Sequence, residues 1–237
     1  MQALETGRLR ARLAEGSQDI ARTLALRQIC FRGAGASTDA DAHDAACQHL
    51  LVETAAGELL CCYRLQVIAG PAGLEQSYAA QFYDLAPLAA LPAPMIEMGR
   101  FCLAPGAADP DILRLAWAAM TRIVDDCGAR LLFGCSSLRG AHPAGHAAAM
   151  VVLAHHVGPP QHRPGRRAPE TVDLPAAEGR GTPIALPPLL RSYLAMGGWV
   201  SDHAVIDRDL DTLHVFTGVE IAAIPPARAR ALRALAG

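Results

Sequence analysis

Apolar positions recur in two rhythms along the chain, and each change of rhythm marks a change of element. Residues 9–13, Leu-Arg-Ala-Arg-Leu, alternate apolar with charged and predict a half-buried first strand. Ser17 stands where a cap belongs, with Asp19 in the first turn, so a helix is expected over about 18–31 before Gly33 and Gly35 end it. A polar loop follows over 36–47. Residues 49–53 and 59–68 read as a hairpin around Ala55-Ala56-Gly57, and Gly70-Pro71 breaks the pattern before a short helix near 74–82. Residues 95–103 form the expected central strand. Asp109 and Pro110 then open a helix to about Cys127, with Ile112, Leu115, Ala116, Ala119, Met120 and Ile123 at helical spacing. A buried strand at 130–136, helices at 147–156 and 189–196, a strand pair at 199–206 and 213–217 and a C-terminal helix from Pro225 complete the pattern. Residues 157–185 are rich in Pro, Gly, Arg and His and are expected to be an irregular insertion in one 1–237 domain. Strands and helices in this order predict an α/β fold around one mixed sheet.

The central strand breaks the pattern that defines it. Met95-Ile96-Glu97-Met98-Gly99-Arg100-Phe101-Cys102-Leu103 carries an acid and a base inside an apolar run. Buried charges are costly unless paired or used, so Glu97 and Arg100 point either to a structural ion pair or to a site. On a regular strand, positions 97 and 100 face opposite sides. They serve one substrate only if the strand is irregular, and Gly99 is where a bulge is expected.

Composition narrows the chemistry. The chain contains no Lys, so its 21 cations are all Arg: each suits forked contact to carboxylate or phosphate, and none is a neutral amine base. A net charge of −2 and the lack of a basic-aromatic array argue against nucleic acid. No apolar run approaches the ~18 residues of a membrane span, and the N-terminus lacks a secretory segment. Seven cysteines without a Cys-x-x-Cys spacing read as reduced thiols of a cytoplasmic protein. His142, His146, His155, His156 and His162 lack the spacing and companion ligands of a metal site, so no metal is assigned. His162-Arg163-Pro164-Gly165-Arg166-Arg167 is a small basic loop, either solvated or docking to an acidic carrier or an anionic membrane.

Several spacings combine in a fixed order: Arg27-x3-Phe31, Asp41-x2-Asp44-x2-Cys47-x-His49-Leu50, Tyr63-Arg64-Leu65 and Glu97-x-Gly99-Arg100. With the stretches at 78–85 and 186–194, this order resembles the ornithine lipid N-acyltransferases of the GNAT superfamily, themselves similar to acyl-homoserine-lactone synthases. The resemblance covers about residues 8–220. It implies a GNAT-like fold with a bulged central strand that exposes a backbone N–H to a thioester carbonyl. It also implies transfer of a 3-hydroxy fatty acyl group from the phosphopantetheine of acyl carrier protein to the α-amine of L-ornithine, giving lyso-ornithine lipid, with no tightly bound cofactor. Glu97 would be the base, directly or through water, and Arg100 would hold the substrate carboxylate or orient Glu97. Arg27, Asp41, Asp44 and Arg64 would form an electrostatic cluster over Phe31, with Gly99 and Phe101 beside it. Another amino acid acceptor, or homoserine-lactone synthesis, remains a nearby alternative, and a non-catalytic module binding carrier protein or membrane is the reading from a different class. The coenzyme A loop of many GNAT enzymes, Gln/Arg-x-x-Gly-x-Gly/Ala, would fall near 103–109. Here the chain reads Leu-Ala-Pro-Gly-Ala-Ala-Asp, without the Gln or Arg and with Asp109 and Asp111 where pyrophosphate would sit.

Overall fold

The computed structural model describes residues 1–33, 38–177 and 186–236. In chain order the strands and helices are β1 (Leu4–Thr6), β2 (Leu9–Leu13), α1 (Ser17–Arg27), β3 (Gln48–Thr54), β4 (Leu59–Ile68), α2 (Pro71–Leu74), β5 (Tyr83–Asp84), β6 (Met95–Leu103), α3 (Pro110–Cys127), β7 (Leu131–Arg139), α4 (Ala147–Ala154), β8 (Gly165–Arg166), β9 (Thr171–Asp173), α5 (Pro188–Ala195), β10 (Trp199–Val200), β11 (His203–Asp207), β12 (Thr212–Glu220) and α6 (Pro226–Ala236). The chain divides into two compact units: Met1–Val67, Met98–Ala129 and Pro226–Gly237 form one, and Ile68–Glu97 with Arg130–Pro225 the other.

In the first unit β1, β2, β3 and β4 follow one another antiparallel, and β4 neighbours the later part of β6. Helix α3 covers β1, β2 and β3 and carries α6 alongside. Its buried face, Ile112, Leu115, Ala116, Ala118, Ala119, Met120, Ile123 and Val124, follows the 3.6-residue period. Each large apolar side chain buried there contributes about 1.5–3 kcal/mol. Asp109 caps this helix by accepting from the Asp111 amide, Pro110 takes the first position, and Gly128 ends it in the left-handed conformation. At the first helix the cap differs from expectation. Gly16 is the capping residue and Ser17 is already helical, while the Asp19 carboxylate accepts from the Glu15 amide and pairs with Arg12 and Arg22. Helix α1 also ends early and continues as one π-helical turn, Gln28–Arg32, closed by a bond from the Gly33 amide to the Gln28 carbonyl.

In the second unit Met95, Ile96 and Glu97 of β6 pair parallel with Leu131, Leu132 and Phe133 of β7. β7 is antiparallel to β12, β12 to β11, and β11 to β9. Alternation puts Met95, Phe133, Phe216 and Val205 on one face, packed with Leu74, Ala79, Ala80, Tyr83, Leu85 and Leu88. Leu138, Val215, Leu213 and Ala204 line the other face, with residues of α4 and α5. The helix expected near 74–82 is instead α2 followed, after a break at 75–78, by a 3-10 turn at Ala79–Gln81. The region expected to be irregular carries two short strands: β8 pairs with β5, and β9 with β11. Residues 178–185 of that region lie outside the described residues.

Candidate active site

Glu97 ends the β6–β7 ladder and is 5% exposed. Its carboxylate accepts hydrogen bonds from the amides of Tyr78 (2.8 Å) and Ala79 (2.7 Å). Those amides open the 3-10 turn, where no intrahelical acceptor exists for them. The acid inside an apolar strand therefore anchors the 71–91 segment to the sheet face, an anion on two backbone donors. Sequence alone offered no signal for this partnership, because the donors are main-chain groups 18 and 19 residues upstream.

Arg100 belongs to the first unit and has different partners. Its Nε donates to Asp39 Oδ2 (2.9 Å) and its Nη2 to Asp41 Oδ2 (3.3 Å), while its guanidinium carbon lies 5.7 Å from the centre of the Phe31 ring. The backbone at Arg100 is left-handed, with φ 54°. Within the stretch where an irregularity is expected, the left-handed residue is Arg100, which carries a Cβ. Such a conformation costs about 1–2 kcal/mol in an L residue and persists where surrounding contacts hold it. A Cβ on Gly99 would approach Arg64 Nε at 3.9 Å, an ordinary contact, so the glycine leaves space beside that guanidinium.

Arg27, Asp41, Asp44 and Arg64 do come together, as one ionic network with Arg32, Asp39 and Arg100. Arg27, 1% exposed, donates to Asp39 Oδ2 (2.9 Å), to the Asp39 carbonyl (2.6 Å) and to Asp44 Oδ1 (2.6 Å). Arg64 reaches Asp41 (2.5 and 2.9 Å) and Asp44 (2.6 Å). Four guanidiniums thus meet three carboxylates in this network. Burial pushes the Asp44 carboxyl up, but hydrogen bonds from Arg27, the Asp41 amide and Arg64 more than reverse this and bring it to about 2. Burial likewise opposes ionisation of Asp41, and Arg64 outweighs it, leaving that carboxyl below its usual range. His49, paired across the hairpin with Arg64, is pushed down by burial. Phe101 stacks on Tyr63 with ring centres 5.6 Å apart, and Tyr63 donates to the Ala116 carbonyl. Asp39 was passed over in the sequence, where only the Asp41-x2-Asp44 spacing stood out. Its position two residues before Asp41, in the same polar loop, was the available clue.

Elsewhere the charges are neutralised close at hand. In the basic loop, Arg163 pairs with Asp202, Arg166 with Asp173, and Arg167 with Glu75. At the start of α3, Asp109 accepts from the Asp111 amide and pairs with Arg8 at 3.0 Å. The N-terminus of α3 is thus occupied by the chain's own carboxylate. Among the described residues no group of three or more His, Cys, Asp or Glu side chains is arranged to hold a metal ion, and no helix is long and apolar enough to cross a membrane.

Comparison with known proteins adds to this geometry. The family model described as an acetyltransferase (GNAT) domain matches residues 27–118, which span the network, Glu97 and Arg100. The L-ornithine N(alpha)-acyltransferase of Rhodobacter capsulatus is 30% identical over 224 residues, covering 86% of this chain and 86% of that protein. The protein of the same name from Brucella abortus is 30% identical over 235 residues, covering 89% and 83%. Among solved structures, the CoA-dependent acyl-homoserine lactone synthase MesI aligns with a TM-score of 0.50 at 11% identity, covering 93% of this chain and 90% of that one. At that identity the likeness is one of fold: an α/β GNAT-like acyltransferase architecture.

Proposed function

Because the chain belongs to the L-ornithine N(alpha)-acyltransferase family and is an acyltransferase of the GNAT class, we propose that it transfers a 3-hydroxy fatty acyl group from acyl carrier protein to the α-amine of L-ornithine, giving lyso-ornithine lipid. The observation that carries this reading is 30% identity sustained over 86% of both chains. In the reaction, the α-amine loses a proton and attacks the thioester carbonyl, the carbonyl oxygen takes up negative charge, and the pantetheine thiol leaves.

Glu97 is assigned as the proton acceptor, directly or through water. Arg100 has two candidate roles, holding the acceptor's carboxylate or orienting Glu97. Asp39 and Asp41 hold its guanidinium, whereas Glu97 takes its donors from the amides of Tyr78 and Ala79. Arg100, held in place by two carboxylates, is assigned to the acceptor's carboxylate. The left-handed turn of backbone at Arg100 supports the idea that a main-chain N–H of β6 faces the thioester oxygen. No tightly bound cofactor is assigned. The donor is a carrier-protein thioester, and the protein acts in the cytoplasm, with peripheral contact to the inner membrane face where its lipid product partitions.

The test is expression in a bacterial host lacking amino-acid lipids, followed by lipid mass spectrometry. A new mass matching 3-hydroxyacyl-ornithine is expected. A conjugate of another amino acid would replace the acceptor assignment. No new lipid from folded protein would favour a binding module.

A further inference from the structure

From the geometry of the ionic network we infer that Asp39 is a positioning residue for the reaction, setting the guanidinium of Arg100 for the acceptor's carboxylate; this rests on the role proposed above for Arg100. Asp39 is 1% exposed, and its side chain is fully enclosed. Its two oxygens join three guanidiniums from two parts of the fold. Oδ2 accepts from Arg27 Nε (2.9 Å) and Arg100 Nε (2.9 Å), and Oδ1 accepts from Arg32 Nε (3.2 Å). Its carbonyl accepts from Arg27 Nη2 at 2.6 Å, so the backbone of Asp39 is tied to α1 as well.

The local structure explains why Asp39 can do this. Arg27 and Arg32 are five residues apart, and the π-helical turn between them carries the bond from the Gly33 amide to the Gln28 carbonyl. A turn closed at i→i+5 brings residues five apart to one side, where an α-helix would splay them. Both can then grip one carboxylate. That carboxylate meets Arg100 at the point where β6 takes a left-handed residue. Asp41 holds the same guanidinium through Nη2, and Phe31 lies against it. Nε held by one carboxylate and Nη2 by another fixes both the tilt and the rotation of a planar group. With Asp39 neutral, Nε loses its charged acceptor and the guanidinium is held less firmly, by Asp41 at Nη2 and by the Phe31 ring.

The experiment combines kinetics with side-chain NMR on the whole protein. Wild type, Asp39→Asn and Asp39→Glu are assayed with one 3-hydroxyacyl carrier-protein donor and varied L-ornithine. Asp39→Asn is expected to raise KM for ornithine at least ten-fold with kcat changed less than three-fold, and Asp39→Glu to recover part of that loss. In Arg100→Lys the same Asp39→Asn change should move KM less than two-fold, since its target is gone. In 15N-arginine spectra, the Arg100 Nε–H signal (identified by its loss in Arg100→Lys) should shift and exchange with solvent at least ten-fold faster in Asp39→Asn. The Arg12 Nε–H signal, bonded to Glu53 at 2.7 Å, should stay. Should Asp39→Asn not fold, Arg32→Gln takes its place and should raise KM two- to five-fold with a smaller Arg100 shift. An unmoved Arg100 signal, an unchanged KM, or an equal KM loss in the Arg100→Lys background overturns the inference. If wild type does not acylate ornithine, the proposed acceptor fails, and the Arg100 signal alone decides whether Asp39 positions it.

Discussion

Glu97 is held as a structural anion and assigned as a base, and the two roles make separable predictions. Its oxygens accept from two amides that open a turn, so Glu97→Gln sets an NH2 group against one of those N–H donors. The expected cost is about 1–3 kcal/mol of stability, read from denaturant unfolding. If the carboxylate also takes the amine's proton, turnover should fall by about 10²–10⁴-fold, far beyond what folded protein at reduced stability would lose. A destabilised variant with near-normal kcat would leave Glu97 as an anchor only. His214 gives a second residue-scale expectation. Burial, with His203 nearby, pushes its pKa down to about 4, and Tyr83 Oη lies 3.1 Å from its Nδ1. The unfolded chain binds the proton more readily between about 6.5 and about 4, so this contribution is complete above about 6.5 and lost as pH falls through that window. His214→Phe should flatten that part of the stability–pH curve. An unchanged slope between pH 6.5 and 4 would assign the acid sensitivity to other groups. The anomalous Glu97 and Arg100 were legible in the sequence because they interrupt an apolar rhythm. Asp41, one partner of Arg100, was legible by its spacing to Asp44; the amides that hold Glu97 and the loop residue Asp39 were not, because they leave no mark on periodicity.

The elements formed where amphipathic period and punctuation agreed. Strand β2, hairpin β3–β4, strand β6 and helix α3 follow alternation, a two-sided apolar run or a capped 3.6-residue repeat. They departed where tertiary contacts decided. Residues 74–82 divide because Glu97 captures amides in the middle, and residues 157–177 hold two-residue and three-residue strands because β5 and β11 offer edges to pair with. The left-handed residue on β6 lies next to Gly99, where sequence placed an irregularity: Arg100 adopts that conformation under the hold of Asp39, Asp41 and Phe31. Substitutions at Gly99 follow from this placement. Gly99→Ala adds a Cβ at 3.9 Å from Arg64 Nε, an ordinary contact, and should change stability by less than about 1 kcal/mol. Gly99→Val adds two methyl groups against the same guanidinium and should lower kcat at least ten-fold while Tm drops only a few degrees. Thermal melts and steady-state rates on both variants check this. A Gly99→Val enzyme with full turnover would free the strand geometry beside Arg64 from any part in the reaction.

On the scale of the molecule, the proposal of a carrier-protein donor rests on charge at one helix end. A helix N-terminus attracts anions, and many acyltransferases of this class use that position for the pyrophosphate of coenzyme A. In this chain Asp109 occupies the end of α3, bonded to the Asp111 amide and paired with Arg8, and Asp111 pairs with Arg114. Hydrogen bonding from the Asp111 amide, and then from Arg8, keeps the Asp109 carboxyl below its usual range, so it is an anion at neutral pH. A second anion placed against it is repelled. The repulsion grows with the phosphate charge that must approach, three phosphate groups in coenzyme A against one in a carrier's phosphopantetheine. A carrier protein also brings its own surface and needs no grip on a nucleotide. With one 3-hydroxyacyl chain presented on both carriers, kcat/KM for the carrier-protein thioester should exceed that for the coenzyme A thioester by at least ten-fold. Replacing the two aspartates, as Asp109→Ser with Asp111→Asn, keeps a capping hydroxyl at the helix start while removing the negative charge. That double variant should narrow the difference by improving KM for the coenzyme A thioester, with little change for the carrier protein. A wild-type preference for coenzyme A would defeat the carrier-protein assignment. An unaltered ratio in the double variant would mean that the charge at the start of α3 is not what sets it.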